Sequence, residues 1–574
     1  MKNDRRYLLA FILLLAFITR SYGIGTPFLK NDSTEIAFYV SKYYPQSMGD
    51  LTRAFGFYHG AGNVFLGYAI AWLYKALSIP LTEFMWNLPY ALIGTSTILA
   101  VYITTLHFTK NENTALTSSL LLSLYPLHIG YSRVSGYSEG NIGLLLQLAT
   151  ITLFHKHYSK PTGKTAIAAA ISLAMLALSD MFSPMIFPLI LYIGISASEG
   201  KTMADSLKTA IRKTMRPEFT IPLLAILLNS AVLLGYLQNP TTPSITAGPL
   251  MHVLDRPDVV LGFYPKTYAI NLLYFMGPIM FLAGIVSLTH LARRFFLRDG
   301  SNVIIAWFTA YSLPFLFMFP RCVTTYTLFP STPLMILTSI ALTQLLESGK
   351  RRIRYSAITL ITVICLSLLA NDMYALYNVW EHPFKDYAAS LYCTTIFSSC
   401  RFTPCQLPMI GKMLPDEGYK AAGYWIRKNT REDSTILDLE GRWISRRKSI
   451  LYYTRRQLAG CLRAGDSGDC SPEVLAPSIG GIDVVLSSPS TDFMETHYKK
   501  FHKTLQVMDG VEKILNVYTR ERHYDKTLLV QASEYNRLYD MEYADPSLVI
   551  DADMRSDVHI FTADGNITIP SYFQ

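Results

Sequence analysis

Residues 1–44 run "MKNDRRYLLAFILLLAFITRSYGIGTPFLKNDSTEIAFYVSKYY". An apolar run from Tyr7 follows the basic residues Lys2, Arg5 and Arg6, in the layout of a secretory leader. No small-residue cleavage site follows it, so it is expected to stay as an uncleaved anchor and first membrane span. Two carboxylates come next, Asp32 and Glu35, one helical turn apart. Asp32 in an N-cap position with Glu35 three residues later fits a capping box, and Ile36, Tyr39, Val40, Tyr43 and Tyr44 then repeat as one apolar stripe. A cap and a pair of chemically active acids are both consistent with that spacing.

The whole chain extends this opening pattern. Of its 574 residues 50% are hydrophobic and only 16% charged, with a mean hydropathy of +0.24. That balance excludes an ordinary soluble enzyme and points to many membrane spans. The formal charge of +9 does not argue for nucleic acid, because Lys and Arg sit in short clusters between apolar runs, where charge fixes orientation.

Runs long enough to cross about 30 Å of hydrocarbon start near Tyr7, Trp86, Asn113, Glu139, Lys164, Ser183, Phe219, Tyr268, Asn302, Tyr326 and Ile353. The expected fold is therefore a polytopic α-helical membrane protein of about eleven spans, followed by a C-terminal extracytoplasmic α/β domain. The basic connections Lys156 to Lys164, Lys201 to Arg216, Arg293 to Arg298 and Lys350 to Arg354 are assigned to the cytoplasm by the positive-inside rule, as is the N-terminus. The stretch "AGNVFLGYAIAWLYKALS", residues 61–78, is apolar enough to span, but counting it would invert every basic loop downstream. It is expected to lie along the membrane surface, with a twelfth span as the alternative.

Residues 1–371 are thus expected to form the transmembrane domain, with a first outer loop at 24–85, and residues 372–574 the outer domain. All cysteines but Cys365 fall on the predicted outer side, where disulfides persist, and Cys461 with Cys470 is a local candidate pair. In the outer domain "DEGYKAAGYWIRKNT" and "DFMETHYKKFHKTL" suggest helices, "STILDLE", "GIDVVLSS" and "EKILNVYTRE" suggest strands, and "TLLVQASEY" through "HIFTADGNITIP" a small β-rich extension.

Polar side chains beside spans are costly unless paired, solvated or useful. Several gather at the predicted outer face: Asp32, Glu35, Arg53, His59, His128, Arg133, Glu139, Asp180 and Arg321. Each has a plain structural alternative, Asp180 as a turn cap, His128 as a satisfied interfacial histidine, Arg133 as a snorkelling cation. Together they suit sugar transfer from a lipid phosphate. A carboxylate takes the proton of an acceptor hydroxyl, and cations, not a general acid, receive the departing phosphate.

The order of these segments resembles the GT-C superfamily of membrane glycosyltransferases, in the branch of dolichyl-phosphate-mannose protein mannosyltransferases and bacterial aminoarabinose transferases. The resemblance covers about residues 5–160 and 300–345 and rests on "NDSTEIAFYVSKYY", "FYHGAGN", "VFLGYAIAWLYKALS", "LLSLYPLHIGYSRVSGYSEGNIGLLL" and "PRCVTTYTLFPSTPLMILTSIAL". It implies that Asp32 and Glu35 are catalytic, that His59 and Arg321 lie near the donor phosphate, and that Glu139 stands at the rim of the site. Arg53 and Arg133 are further candidate phosphate ligands, and Asp180 and His128 candidate substrate contacts. The family's adjacent Asp-Glu pair is replaced by Asp32-Ser33-Thr34-Glu35, so either acid is placed to be the base. No Trp-Trp-Asp stretch is present, which favours transfer of a single sugar over a whole oligosaccharide.

The expected partners are a polyprenyl-phosphate-linked sugar, a glycan, lipid or protein acceptor, and membrane lipids, with no nucleic acid. No cofactor is required; aspartates near the site permit a divalent metal, but no ligand spacing calls for one. A lipid-glycan flippase and a non-catalytic glycan-assembly subunit are the alternatives. Against the flippase, the chain has no matching halves and its polar groups sit at one face, not at the bilayer centre.

Overall fold

The computed structural model describes residues 2–22, 24, 61–79, 83–133, 142–179, 183–197, 203–214, 217–219, 222–224, 257–292, 301–317, 327–375, 418–438, 457–459, 482–487, 501–509, 512–521, 523, 526–531, 558–562 and 565–569. Its helices are α1 (Lys2–Ser21), α2 (Ala61–Ala76), α3 (Glu83–Thr109), α4 (Glu112–Ser123), α5 (Pro126–Ser132), α6 (Ile142–Ser159), α7 (Gly163–Ser179), α8 (Ile186–Ser196), α9 (Met203–Thr214), α10 (Pro257–Ala292), α11 (Ser301–Phe317), α12 (Leu328–Leu346), α13 (Arg351–Ala375) and α14 (Tyr419–Asn429). The expected spans fall on helix with two exceptions: the run from Asn113 is divided between α4 and α5, and the one from Phe219 lies largely outside the described residues.

Among the described residues, 3 helices are long and apolar enough to cross a membrane: Phe84–Thr109, Leu328–Leu346 and Arg351–Ala370. Shorter apolar helices run Gly163–Ser179, Ser183–Ser196, Met276–Ala292 and Asn302–Leu313. The 16-residue α2 is too short to cross about 30 Å unaided, and it exposes Trp72 and Leu73 while burying Val64, Tyr68 and Ala71.

Burial separates central from peripheral helices. α12 is buried on nearly every side from Leu328 to Thr343, as expected for a helix that is apolar all round. It packs against α4, α10, α11 and α13. α13 instead exposes Ile358, Leu366 and Leu369, an apolar outer face suited to lipid. α10 breaks at Gly277, where φ is 73°.

Polar ties fix which helix ends share a rim. At one rim Arg5 forms an ion pair with Glu112, Asn111 and Asn113 both donate to Glu347, and His107 Nε2 lies 2.9 Å from His155 Nδ1. The start of α1, the α3–α4 turn and the ends of α6 and α12 are thereby gathered. At the opposite rim the end of α1 meets α5 and the start of α3, through bonds described below.

Near the C-terminus a six-stranded mixed sheet has the order β2-β1-β3-β5-β4-β6, from β1 (Thr435–Asp438), β2 (Gln457–Ala459), β3 (Val484–Ser487), β4 (His502–Asp509), β5 (Glu512–Thr519) and β6 (Leu528–Gln531). α14 packs on β4 and β5, and its buried Ala422, Trp425 and Ile426 follow the i, i+3, i+4 spacing of one apolar face. The expected helix "DFMETHYKKFHKTL" is corrected over its last residues. Strand β4 begins at His502, because Leu505 and Val507 alternate inward against an antiparallel partner, β5. β6 is likewise not part of a separate extension but pairs parallel to β4 in the main sheet. β7 (Val558–Thr562) and β8 (Gly565–Ile569) form a hairpin of their own. α13 continues past Asn371 to Ala375. One apolar cluster joins Val64, Tyr68, Tyr74, Trp86 and Tyr90 of α2 and α3 to Trp425, Ile426, Leu505 and Val517 of this domain, so the sheet domain sits at the rim where α2 lies.

Candidate active site

The site begins with a helix break. Proline prefers an extended residue before it and fits the first turn of a helix. Tyr125 is accordingly extended (φ −86°, ψ 114°) and Pro126 opens α5. The break ends α4 at Ser123 and interrupts the helical bonding of its last carbonyls, of which Leu122 O accepts from Tyr125 N at 3.3 Å. Arg20, in the last turn of α1 and fully buried, donates to two of them: its Nη1 to Ser123 O at 3.3 Å and its Nη2 to Leu122 O at 3.5 Å. Nη1 also returns to Ala16 O at 2.9 Å.

The same guanidinium lies 2.5 Å from His128 Nδ1 on α5. Arginine has donors only, so Nδ1 is the acceptor. The ring is then neutral and carries its proton on Nε2. His128 is fully buried, and Nε2 has no hydrogen-bond partner among the described residues. While the Arg20 bond stands, this histidine is a donor and not a base.

Arg133, just past α5, is also buried and donates to Tyr22 O at 2.6 Å. It therefore turns inward to the end of α1, where the sequence suggested a snorkelling side chain as the plain alternative. Gly94 lets α3 approach this cluster: a Cβ there would overlap Ser132 and lie 3.3 Å from Arg20 Cδ. Nearby on α3, Asn87 donates to Ile24 O at 3.4 Å.

Two further bonds bring remote segments to this rim. Tyr125 Oη lies 2.9 Å from Ser331 Oγ, which ties the α4–α5 break to the start of α12. Asn63 Nδ2 donates to Ser179 O at 3.2 Å, which ties the start of α2 to the end of α7. The sequence neighbours of these anchors are candidates from the sequence reading: His59 precedes Asn63, Asp180 follows Ser179 and Arg321 precedes Thr327.

Of the predicted site residues, His128 and Arg133 are brought together with Arg20. Asp32, Glu35, Arg53, His59, Glu139, Asp180 and Arg321 lie outside the described residues, as do Cys461 and Cys470. Arg20 was not singled out from the sequence. Its signal was present, since a lone arginine at the expected outer end of an apolar span runs against the positive-inside bias. Among the described residues there is no group of three or more His, Cys, Asp and Glu side chains able to hold a metal ion.

By sequence, no protein-family model and no curated protein matches the chain. By structure it is similar to the Archaeoglobus fulgidus oligosaccharyltransferase in its apo form, with a TM-score of 0.53 and 12% identity over 91% of this chain and 75% of that one. It is also similar to the archaeal oligosaccharyltransferase AglB from Archaeoglobus fulgidus in complex with an inhibitory peptide and a dolichol-phosphate, with a TM-score of 0.51 and 13% identity over 86% and 70%. ArnT from Cupriavidus metallidurans in the apo state matches with a TM-score of 0.46 and 12% identity over 91% and 98%. The chain thus shares the fold of the Archaeoglobus fulgidus oligosaccharyltransferase. The fold implied by the resemblance to the GT-C superfamily is thereby borne out.

Proposed function

We propose that this chain is an integral membrane glycosyltransferase that moves one sugar from a polyprenyl phosphate to a protein, lipid or glycan acceptor at the rim holding Arg20, His128 and Arg133, with inversion at the sugar carbon. The observation that carries this reading is the GT-C fold, which it shares with an oligosaccharyltransferase that binds a dolichol-phosphate. The buried cations support it, because a phosphate leaving group is stabilised by preorganised positive charge. In this reading Asp32 or Glu35 takes the acceptor's proton as the new glycosidic bond forms, and the carrier phosphate departs with the electron pair of the broken bond. Arg133, with Arg53, His59 and Arg321, draws that phosphate; His128, Glu139 and Asp180 contact the sugar or acceptor. The outer compartment holds this rim and the C-terminal sheet domain, and the N-terminus is cytoplasmic.

The likeness to oligosaccharyltransferases is one of fold, and the missing Trp-Trp-Asp stretch keeps the transferred unit a single sugar. The test uses Asp32→Asn and Glu35→Gln in membranes supplied with labelled polyprenyl-phosphate sugars. Turnover is expected to collapse in at least one variant while folding persists; full turnover in both removes the proposed base. Movement of sugar across sealed vesicles without covalent transfer would instead support a flippase.

A further inference from the structure

At the rim opposite the candidate site, α9 lies across the ends of α6 and α8. Its attachment face is Ser206, Ala210 and Thr214, all buried and spaced four apart. Ala210 fits because Gly194 of α8 has no side chain: a Cβ there would sit 2.7 Å from Ala210 Cβ. Thr214 Oγ1 bonds Tyr158 Oη, and Lys213 Nζ donates to Tyr158 O at 3.0 Å, covering a last-turn carbonyl of α6. The helix is thus fixed in rotation.

That rotation determines what α9 shows outward. Leu207 and Ile211, one turn apart, are exposed at 38% and 40%. Beside them, one residue further round, Lys208 and Arg212 are exposed as well. An apolar strip flanked by a basic strip, with the opposite side held by the bundle, is the pattern of a helix lying in a membrane interface. Asp205 is the one acid of α9 and stands at the far edge of the basic strip. The surroundings reinforce the sign: Lys156, Lys160, Lys164, Lys350, Arg351 and Arg352 are exposed on neighbouring turns of this rim. The rim's Glu112 is paired with Arg5 and its Glu347 is held by asparagines.

We propose that α9 is a binding surface for anionic phospholipid headgroups, with Leu207 and Ile211 among the acyl chains and Lys208 and Arg212 on the lipid phosphates. The inference is independent of sugar transfer, since it concerns the other rim and uses none of the candidate site residues.

The test is the full chain reconstituted in vesicles of phosphatidylcholine with a minority of spin-labelled phosphatidylglycerol or spin-labelled phosphatidylcholine. The wild type is expected to associate preferentially with phosphatidylglycerol at low salt and to lose that preference as salt rises. Lys208→Gln with Arg212→Gln should reduce the preference by on the order of fivefold per cation, while the Lys350→Gln, Arg351→Gln and Arg352→Gln triple variant keeps the α9 contribution. Both sets of side chains are exposed, so folding is retained. Equal association of the two lipids, an unchanged preference in the α9 double variant, or loss confined to the triple variant overturns the proposal. In the first case the face serves a different partner, such as an acidic protein.

Discussion

Arg20 Nη2 stands 2.5 Å from His128 Nδ1, and this contact joins the first span to a short helix 108 residues further along the chain. It sets the tautomer of a buried imidazole, and the same guanidinium donates to the Ser123 carbonyl where α4 ends. Arg20→Met would strand His128 Nδ1 and the Ser123 carbonyl, at about 1–3 kcal/mol for each buried group left unsatisfied, while Leu122 O keeps its bond from Tyr125 N. Thermal unfolding in detergent should show a large loss of stability. Nitrogen NMR of labelled histidine should show the Nε2–H form in the wild type and a tautomer mixture in the variant; an Nδ1–H form in the wild type would refute the assignment.

Tyr125 and Ser331 offer an asymmetric pair. Ser331 Oγ also donates to Thr327 O, so it accepts from the Tyr125 hydroxyl. Tyr125→Phe leaves the serine bonded and should cost only about 1 kcal/mol. Ser331→Ala leaves a buried phenol without an acceptor and should cost about 1–3 kcal/mol. Denaturant midpoints of the two variants check the order, and the reverse order would contradict the donor assignment.

Asn111 caps α4, its side-chain oxygen accepting from Asn113 N at 2.9 Å and Thr114 N at 3.1 Å, while its Nδ2 donates to Glu347. Asn111→Ala is expected to cost about 1 kcal/mol through the cap. Asn111→Asp keeps the cap acceptor but faces the Glu347 carboxylate with like charge, so it should recover stability only at high salt. A salt titration of thermal stability in the three proteins separates cap from repulsion.

The Arg5 guanidinium holds the Glu112 carboxyl below its usual pKa. A carboxylate with a depressed folded pKa contributes stability above its unfolded value near 4.5 and loses it as pH falls through the folded value. Glu112→Gln should therefore lower stability at neutral pH slightly, since the pair is part-exposed, and leave no difference from wild type at the acid end. A constant gap between the two across pH would show that the pair contributes nothing through ionisation.

Much of the helical frame was legible in the chain, because a span needs an unbroken apolar run and the basic clusters between runs mark one membrane side. The helix at α14 and the strands β1, β3 and β5 are local signals of the same kind, whereas the "YP" step at Tyr125 and Pro126 divides what the sequence offered as one run from Asn113. β4 was misjudged because "HYKKFHK" has no clear period of its own, and only pairing with β5 makes Leu505 and Val507 an inward face. The seven site candidates outside the described residues still rest on charge placed beside apolar runs.

The sequence by itself determined which segments prefer hydrocarbon and where α4 must stop, since transfer free energy and proline geometry act over neighbouring residues. Only the tertiary structure decided that Arg20 reaches the carbonyls at that stop and fixes His128, and that α9 turns Leu207 and Lys208 outward. Those outcomes depend on which helices approach closely enough for a hydrogen bond or a missing Cβ to matter, and no local pattern encodes that distance.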